Sequence, residues 1–257
     1  MGEPYVDIGI LRAASWGSAH LVRIKLDQGE NIETHGPDGD TPLLLAIKNS
    51  VFMHELYKTP INNEAIEFLL KRGADVSAMN RCGRSAIHIC ANGGSVTQLR
   101  LLLEHKADVN KKTRIGWENT PLHICSMNDH VEFAKCLIRH GADIDSLDIK
   151  HNTPLMAAVS SSHTPPRNLE IVKYLVEEGV DLLLQGINGQ TAESLSIDND
   201  RKDLTEVIQA AILIKEKCIA FGLGSIQRLG EGSWVYRIDP LVMHMVLHEA
   251  LRKKKQQ

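Results

Sequence analysis

The sequence predicts an all-α solenoid of stacked helix pairs joined by β-turn fingers and closed by a C-terminal helical cap. Three observations predict it. The string Thr120-Pro121-Leu122-His123 recurs in altered form, so that units begin near Ile8, Thr41, Ser85, Thr120, Thr153 and Thr191. A second string, Gly141-Ala142-Asp143, recurs with it, its first position held by Gly29, Gly73, Lys106 and Gly179 elsewhere. Two short apolar-periodic runs lie between the strings, and a unit of about 33 residues built that way cannot bury its own apolar face, so copies must stack.

Each part of the unit has a physical reason. The Thr-Pro pair starts the first helix, where proline's missing N–H had no helical partner. Leu69-Leu70, Leu102-Leu103, Leu137-Ile138 and Leu175-Val176 end the second helices on their buried faces. Gly73, Gly141 and Gly179 then stop those helices where a left-handed backbone is cheap, whereas Lys106 at the same corner costs up to about 1 kcal/mol. Residues 120–144, read together, closely resemble the ankyrin repeat, and the resemblance covers about 8–215 as six repeats with imperfect outer copies. It implies that His88 and His123 hydrogen-bond Ser85 and Thr120 and bridge to the adjoining repeat. It also implies a protein-binding surface made by fingers and the concave first-helix face.

The unit intervals are 33, 44, 35, 33 and 38 residues. From corner to next unit the distance is 12 residues at Gly29, Gly73, Gly141 and Gly179 but 14 at Lys106, so the finger at 110–119 is two residues longer than the others. The second unit gains 11 residues (44 minus 33) near 50–61, a loop expected to bulge opposite the fingers, whose apolar Val51, Phe52, Met53, Leu56 and Tyr57 either pack on their own repeat or face a partner. The fifth gains 5 (38 minus 33) near 160–168. Past Thr191 the pattern fades. Leu204–Ile219 reads as a second helix with no corner, followed by a loop holding Gly222, Gly224, Gly230 and Gly232. Asp239-Pro240 then opens an amphipathic helix to about Lys254. The expected domains are repeats over 1–215 and a helical extension over 216–257 that caps the last repeat.

Composition narrows the function. Net charge is −3, from 29 basic and 32 acidic residues, which argues against non-specific nucleic-acid binding. No window approaches the ~18 apolar residues of a membrane helix, and five widely spaced cysteines suit a reducing compartment. We expect a monomeric cytoplasmic chain with access to the nucleus through Arg252–Lys255. The motifs of hydrolases, phosphate-binding loops and dinucleotide folds are missing, so no enzyme activity, cofactor or metal is expected. Cys90 and Cys125 occupy buried repeat positions, and His244 with His248 lacks a third ligand.

The strongest binding candidate is the long finger. Lys111, Lys112, Arg114 and Trp117 combine cationic reach with an aromatic anchor, with Arg81 and Arg84 on one neighbouring finger and Lys150 and His151 on the other. An acidic peptide or acidic protein face suits this row; the alternative is solvated charge with Trp117 packed on an adjacent finger. Ile89, Asn92, Ile124, Met127 and Asn128 form a second surface, with exposed isoleucines on the first helices of units three and four. The leading expectation is a non-catalytic protein–protein interaction module using repeats two to five. The alternative is a substrate-selecting adaptor of a ubiquitin ligase, recruited through the C-terminal extension.

Overall fold

The computed structural model describes residues 9–57, 63–161, 169–220, 225–229 and 233–237, with backbone alone for 54, 55, 57, 217–220 and both strands. Along the chain the helices come in six pairs, one per expected unit: α1 (Ile10–Ser15) and α2 (Ala19–Asp27), α3 (Pro42–Tyr57) and α4 (Glu64–Lys71), α5 (Ala86–Gly93) and α6 (Val96–Glu104), α7 (Pro121–Met127) and α8 (Val131–Arg139), α9 (Pro154–Ser160) and α10 (Leu169–Glu177), α11 (Ala192–Asp198) and α12 (Lys202–Ala220). The chain forms two compact units, Met1–Pro121 with Lys135–Ala142, and Leu122–Ala134 with Asp143–Gln257.

The same local chemistry starts three of the first helices, whereas α1 follows Gly9 with no side-chain cap. Thr41, Thr153 and Thr191 turn their hydroxyls onto the backbone N–H groups of Leu44, Met156 and Ser194, three residues on. These caps satisfy donors that the first helical turn leaves without a partner. At the other end of the pair, the N–H of Ala74 donates to Leu69 O and that of Gly73 to Leu70 O. The same two bonds recur at Ala107 and Lys106, at Ala142 and Gly141, and at Val180 and Gly179, a helix stop that requires a left-handed residue. Accordingly φ is +87° at Gly73, +88° at Gly141, +85° at Gly179 and +63° at Lys106. Lys106→Gly should therefore stabilise the chain by about 0.5–1 kcal/mol, read as a higher urea midpoint at unchanged slope; a lower midpoint would show that the lysine is not strained. After each corner an aspartate folds the chain back on itself: Asp75, Asp108, Asp143 and Asp181 accept the N–H two residues ahead.

In the first unit, α1, α3 and α5 pack in a row and α2 lies against α4. Its core is fully buried and aliphatic, with Ile10, Leu43, Ile47, Ile66, Leu69, Ile87, Leu99 and Leu102 at its centre. In the second, α9 packs on α11 and α10 on α12 around Leu155, Ile171, Leu175, Leu204 and Ile208. Lys215 of α12 reaches Asp181 at 3.2 Å in a largely buried ion pair.

Two sequence expectations change. The apolar insert is not a loop as far as Tyr57: it continues α3, which runs 16 residues where α5 has 8 and α9 has 7. Val51 on this extension packs against Gly93 so closely that a Cβ there would lie 2.4 Å from Val51 Cγ1. The glycine-containing tail carries an antiparallel hairpin, β1 (Ser225–Leu229) and β2 (Ser233–Arg237), with Gln227 opposite Val235. The repeats are all-α, and the hairpin is a local departure beyond them. The Asp239-Pro240 start, the helix to Lys254, His244, His248, Arg252–Lys255 and the excursion at 162–168 lie outside the described residues. No described helix is long and apolar enough to cross a membrane.

Candidate protein-binding surface

The fingers are short turns closed by one backbone bond. That bond joins Gly36 to Asp40, Asn80 to Arg84, Asp148 to Asn152 and Gly186 to Gln190, each across four residues. In the long finger it joins Thr113 to Asn119, across six. The two extra residues therefore sit in the tip, and the tip presents Ile115, 58% exposed, and Trp117, 50% exposed. The residue before each closing position takes a left-handed backbone: φ is +74° at Gly39, +69° at Gly83, +54° at Glu118, +59° at His151 and +74° at Gly189.

Neighbouring fingers dock backbone to backbone. Arg81 N–H donates to Asp38 O at 2.9 Å, and Arg114 N–H to Gly83 O at 3.0 Å. These bonds bring Arg81, Arg84 and Arg114 onto adjacent edges of the first unit, joined there by Lys111 and Lys112. Arg81, Arg84, Lys111 and Arg114 make no ion pair among the described residues, whereas Lys112 approaches Glu118 at 3.8 Å. Both members of that pair are about half exposed, so it contributes little and leaves the row cationic.

His88 anchors the base of the long finger. Its Nδ1 accepts the Ser85 N–H at 3.1 Å and lies 2.9 Å from the Ser85 hydroxyl, which fixes the proton on Nε2, and Nε2–H donates to Lys111 O at 2.9 Å. Burial pushes its pKa down from the ordinary 6.5 to about 4, against hydrogen bonds to the Lys111 and Asn119 backbone that raise it. The imidazole is thus neutral and structural at neutral pH. Burial likewise pushes the Cys90 and Cys125 thiols upward, which makes both inert packing groups.

Beside this row, α3 and α5 enclose an open groove of about 230 Å³ lined by Val51, Phe52 and Ile89 with Lys48, Asn80, Cys82, Arg84 and Asn92. Lys48 pairs with the buried Asp40, which also accepts from Asn80 Nδ2 at 2.9 Å. Thus Arg84, Ile89 and Asn92 meet in one place. Lys48, Val51 and Phe52 complete it; Val51 and Phe52 belong to the insert expected as an apolar loop and Lys48 had no expected role, although a stretch from Leu43 to Tyr57 without glycine or proline signals a continuing helix.

The second unit holds the remaining candidates. His123 Nε2 meets Asn152 O at 3.0 Å, the same histidine-to-next-finger bridge that His88 makes. Lys150 and His151 are exposed on the finger closed by Asp148, and Lys150 O accepts the N–H of Ile187. Met127 and Asn128 are half-buried, with the Asn128 amide donating to Ile124 O at 2.9 Å. The expected exposed isoleucines are corrected: Ile124 is 6% exposed and Ile89 8%. Their helix faces are covered by packing, so neither offers broad contact area.

A model describing ankyrin repeats in three copies matches residues 10–113, 56–148 and 106–186. Rabankyrin-5 of Mus musculus is 29% identical over 135 residues, 43% of this chain and 12% of that protein. The NF-kappa-B p105 subunit of Gallus gallus is 28% identical over 120 residues, 40% of this chain and again 12% of that protein. The chain thus spans about an eighth of the length of these curated relatives. Among solved structures, a chain from the complex of the Bd0816 predatory endopeptidase of Bdellovibrio bacteriovorus with immunity protein Bd3460 superposes with a TM-score of 0.65. It is 18% identical, and the match covers 78% of this chain and 96% of that one, a likeness of fold. With its caps, corners, histidine bridges and matched models taken together, the chain belongs to the ankyrin-repeat family.

Proposed function

We propose that the chain is a non-catalytic protein-binding module that holds an acidic face or peptide on the finger row of its first unit. Ankyrin repeats generally mediate protein–protein interaction, and a repeat fold supplies a surface without specifying the ligand. The observation that carries the reading is the long finger, whose two extra residues present Ile115 and Trp117 beside four cations without ion pairs. Arginine and tryptophan dominate binding hot spots because each contributes large, partly apolar area with fixed geometry. Lys150 and His151 are a separate candidate contact on the second unit. Beyond the repeats, α12 runs on to Ala220, past the length of the other second helices. We place the chain inside the cell; Cys82, Cys90, Cys125 and Cys136 are free thiols, as a reducing compartment allows.

Affinity capture from native cells tests the module. The Trp117→Ala, Arg114→Glu double variant should recover roughly tenfold less partner than wild type, the loss of one or two hot-spot side chains, with an unchanged melting temperature. Equal recovery, or a large fall in melting temperature, would remove the assignment of this finger as the partner surface.

A further inference from the structure

We infer that the groove between the extended α3 and α5 seats one apolar side chain of a partner peptide that carries an acidic residue close by. This rests on the protein-binding reading and specifies the chemistry of its ligand. The groove's walls are Val51 and Phe52 and its floor is Ile89. Phe52 is 57% exposed while Ile89 is 8% exposed, so an entering side chain has one free aromatic face and a packed aliphatic base to cover. A volume of about 230 Å³ lies below the ~300–1,000 Å³ of small-molecule sites and suits a peptide side chain.

The charge around that apolar floor is one-sided. Lys48 and Arg84 both line the groove, and among the described residues no carboxylate does. Asp40 lies behind Lys48, 3% exposed, and takes one of its ammonium's three donors, leaving two. Arg84 makes no ion pair among the described residues, and Arg81, Lys111 and Arg114 extend positive charge along the adjoining fingers. A carboxylate one or two residues from the apolar anchor meets Arg84 as a planar, two-pronged partner. An acidic peptide fits better than a nucleic acid, since the chain's net charge of −3 opposes a polyanion at long range while local cations still capture a short acidic segment.

The groove depends on the insert. Had α3 ended after two turns, as α5 does, Phe52 and the rest of the wall would be missing. Gly93 completes the arrangement, because any larger residue there would push Val51 away.

The test selects a phage-displayed random peptide library on the full chain. Enriched peptides should share an aliphatic or aromatic residue with Asp or Glu within two positions. A synthetic copy should bind at least tenfold more weakly to Phe52→Ala and to Arg84→Glu, both exposed substitutions whose folding is checked by thermal melt, while Arg84→Lys retains part of the affinity. It should also slow N-ethylmaleimide labelling of Cys82, an exposed thiol in the groove, as read by mass mapping at that residue. Enrichment of basic or neutral peptides, equal binding by the variants, or tighter binding of an oligothymidylate of matching charge would each overturn the inference. A captured partner that is lost on the finger variant and retained by both groove variants would overturn the groove alone. A partner retained by all of them would overturn the finger reading as well.

Discussion

Gly83→Ala should destabilise the first unit by about 2–4 kcal/mol, the range of a strained, overpacked buried position. The residue sits at φ +69°, and a Cβ there would lie 2.5 Å from Ile115 N, 2.9 Å from Arg114 N and 3.1 Å from Arg114 C. Those atoms are backbone of the long finger, so no rotamer change relieves the overlap. The finger must move, breaking the bond from Arg114 N–H to Gly83 O. A drop in melting temperature of roughly 5–10 °C follows, together with weaker partner capture, because Trp117 and Arg114 are re-aimed. Gly189→Ala is the matched control. It has φ +74° and nothing within 4 Å of the added carbon, so only the backbone cost of about 1 kcal/mol applies. Equal losses at the two positions would mean that the finger-on-finger contact contributes nothing.

The repeat register was legible because its corner and finger positions admit few residues. Gly73 and Gly141 mark left-handed helix stops, and the 14-residue spacing after Lys106 located the lengthened finger to within its tip. Burial of individual side chains was harder to read. Ile89 and Ile124 occupy first-helix positions that vary among repeats, yet each is covered by packing that only the assembled stack defines. The groove was missed for a related reason. Its wall, Val51 and Phe52, was assigned to a loop, although the stretch from Leu43 to Tyr57 holds no glycine or proline and, after Pro42, folds as one helix. The hairpin had a signal too. Leu229-Gly-Glu-Gly-Ser233 separates two short runs rich in β-formers, with Ile226 on one side and Trp234, Val235 and Tyr236 on the other, and a three-residue glycine-containing connection is a hairpin signature.

The second large effect is a pH dependence centred on His88. In the unfolded chain this imidazole takes up a proton near pH 6.5, whereas in the fold it does so only near 4. Between those values the unfolded state binds more protons than the folded one, so stability falls as pH falls through the window and levels off below about 4. The full drop corresponds to about 3 kcal/mol. Its physical origin is burial of the ring, which disfavours the charged form and outweighs the hydrogen bond to the Lys111 carbonyl, while Nδ1 accepts from the Ser85 N–H, a role that a protonated ring cannot fill. His88→Gln should cost about 1–3 kcal/mol at pH 7.5, since the Ser85 N–H and the Lys111 carbonyl lose their common partner. The same variant should show a shallower fall in stability from pH 7 to pH 4, because it has lost the titrating group while the other eleven of the twelve histidines are unchanged. Urea unfolding of both proteins across that range separates the two consequences. Parallel pH profiles would show that His88 does not couple protonation to the docking of the long finger, and a wild-type stability that rises on acidification would show that the fold favours the protonated ring, against the neutral assignment.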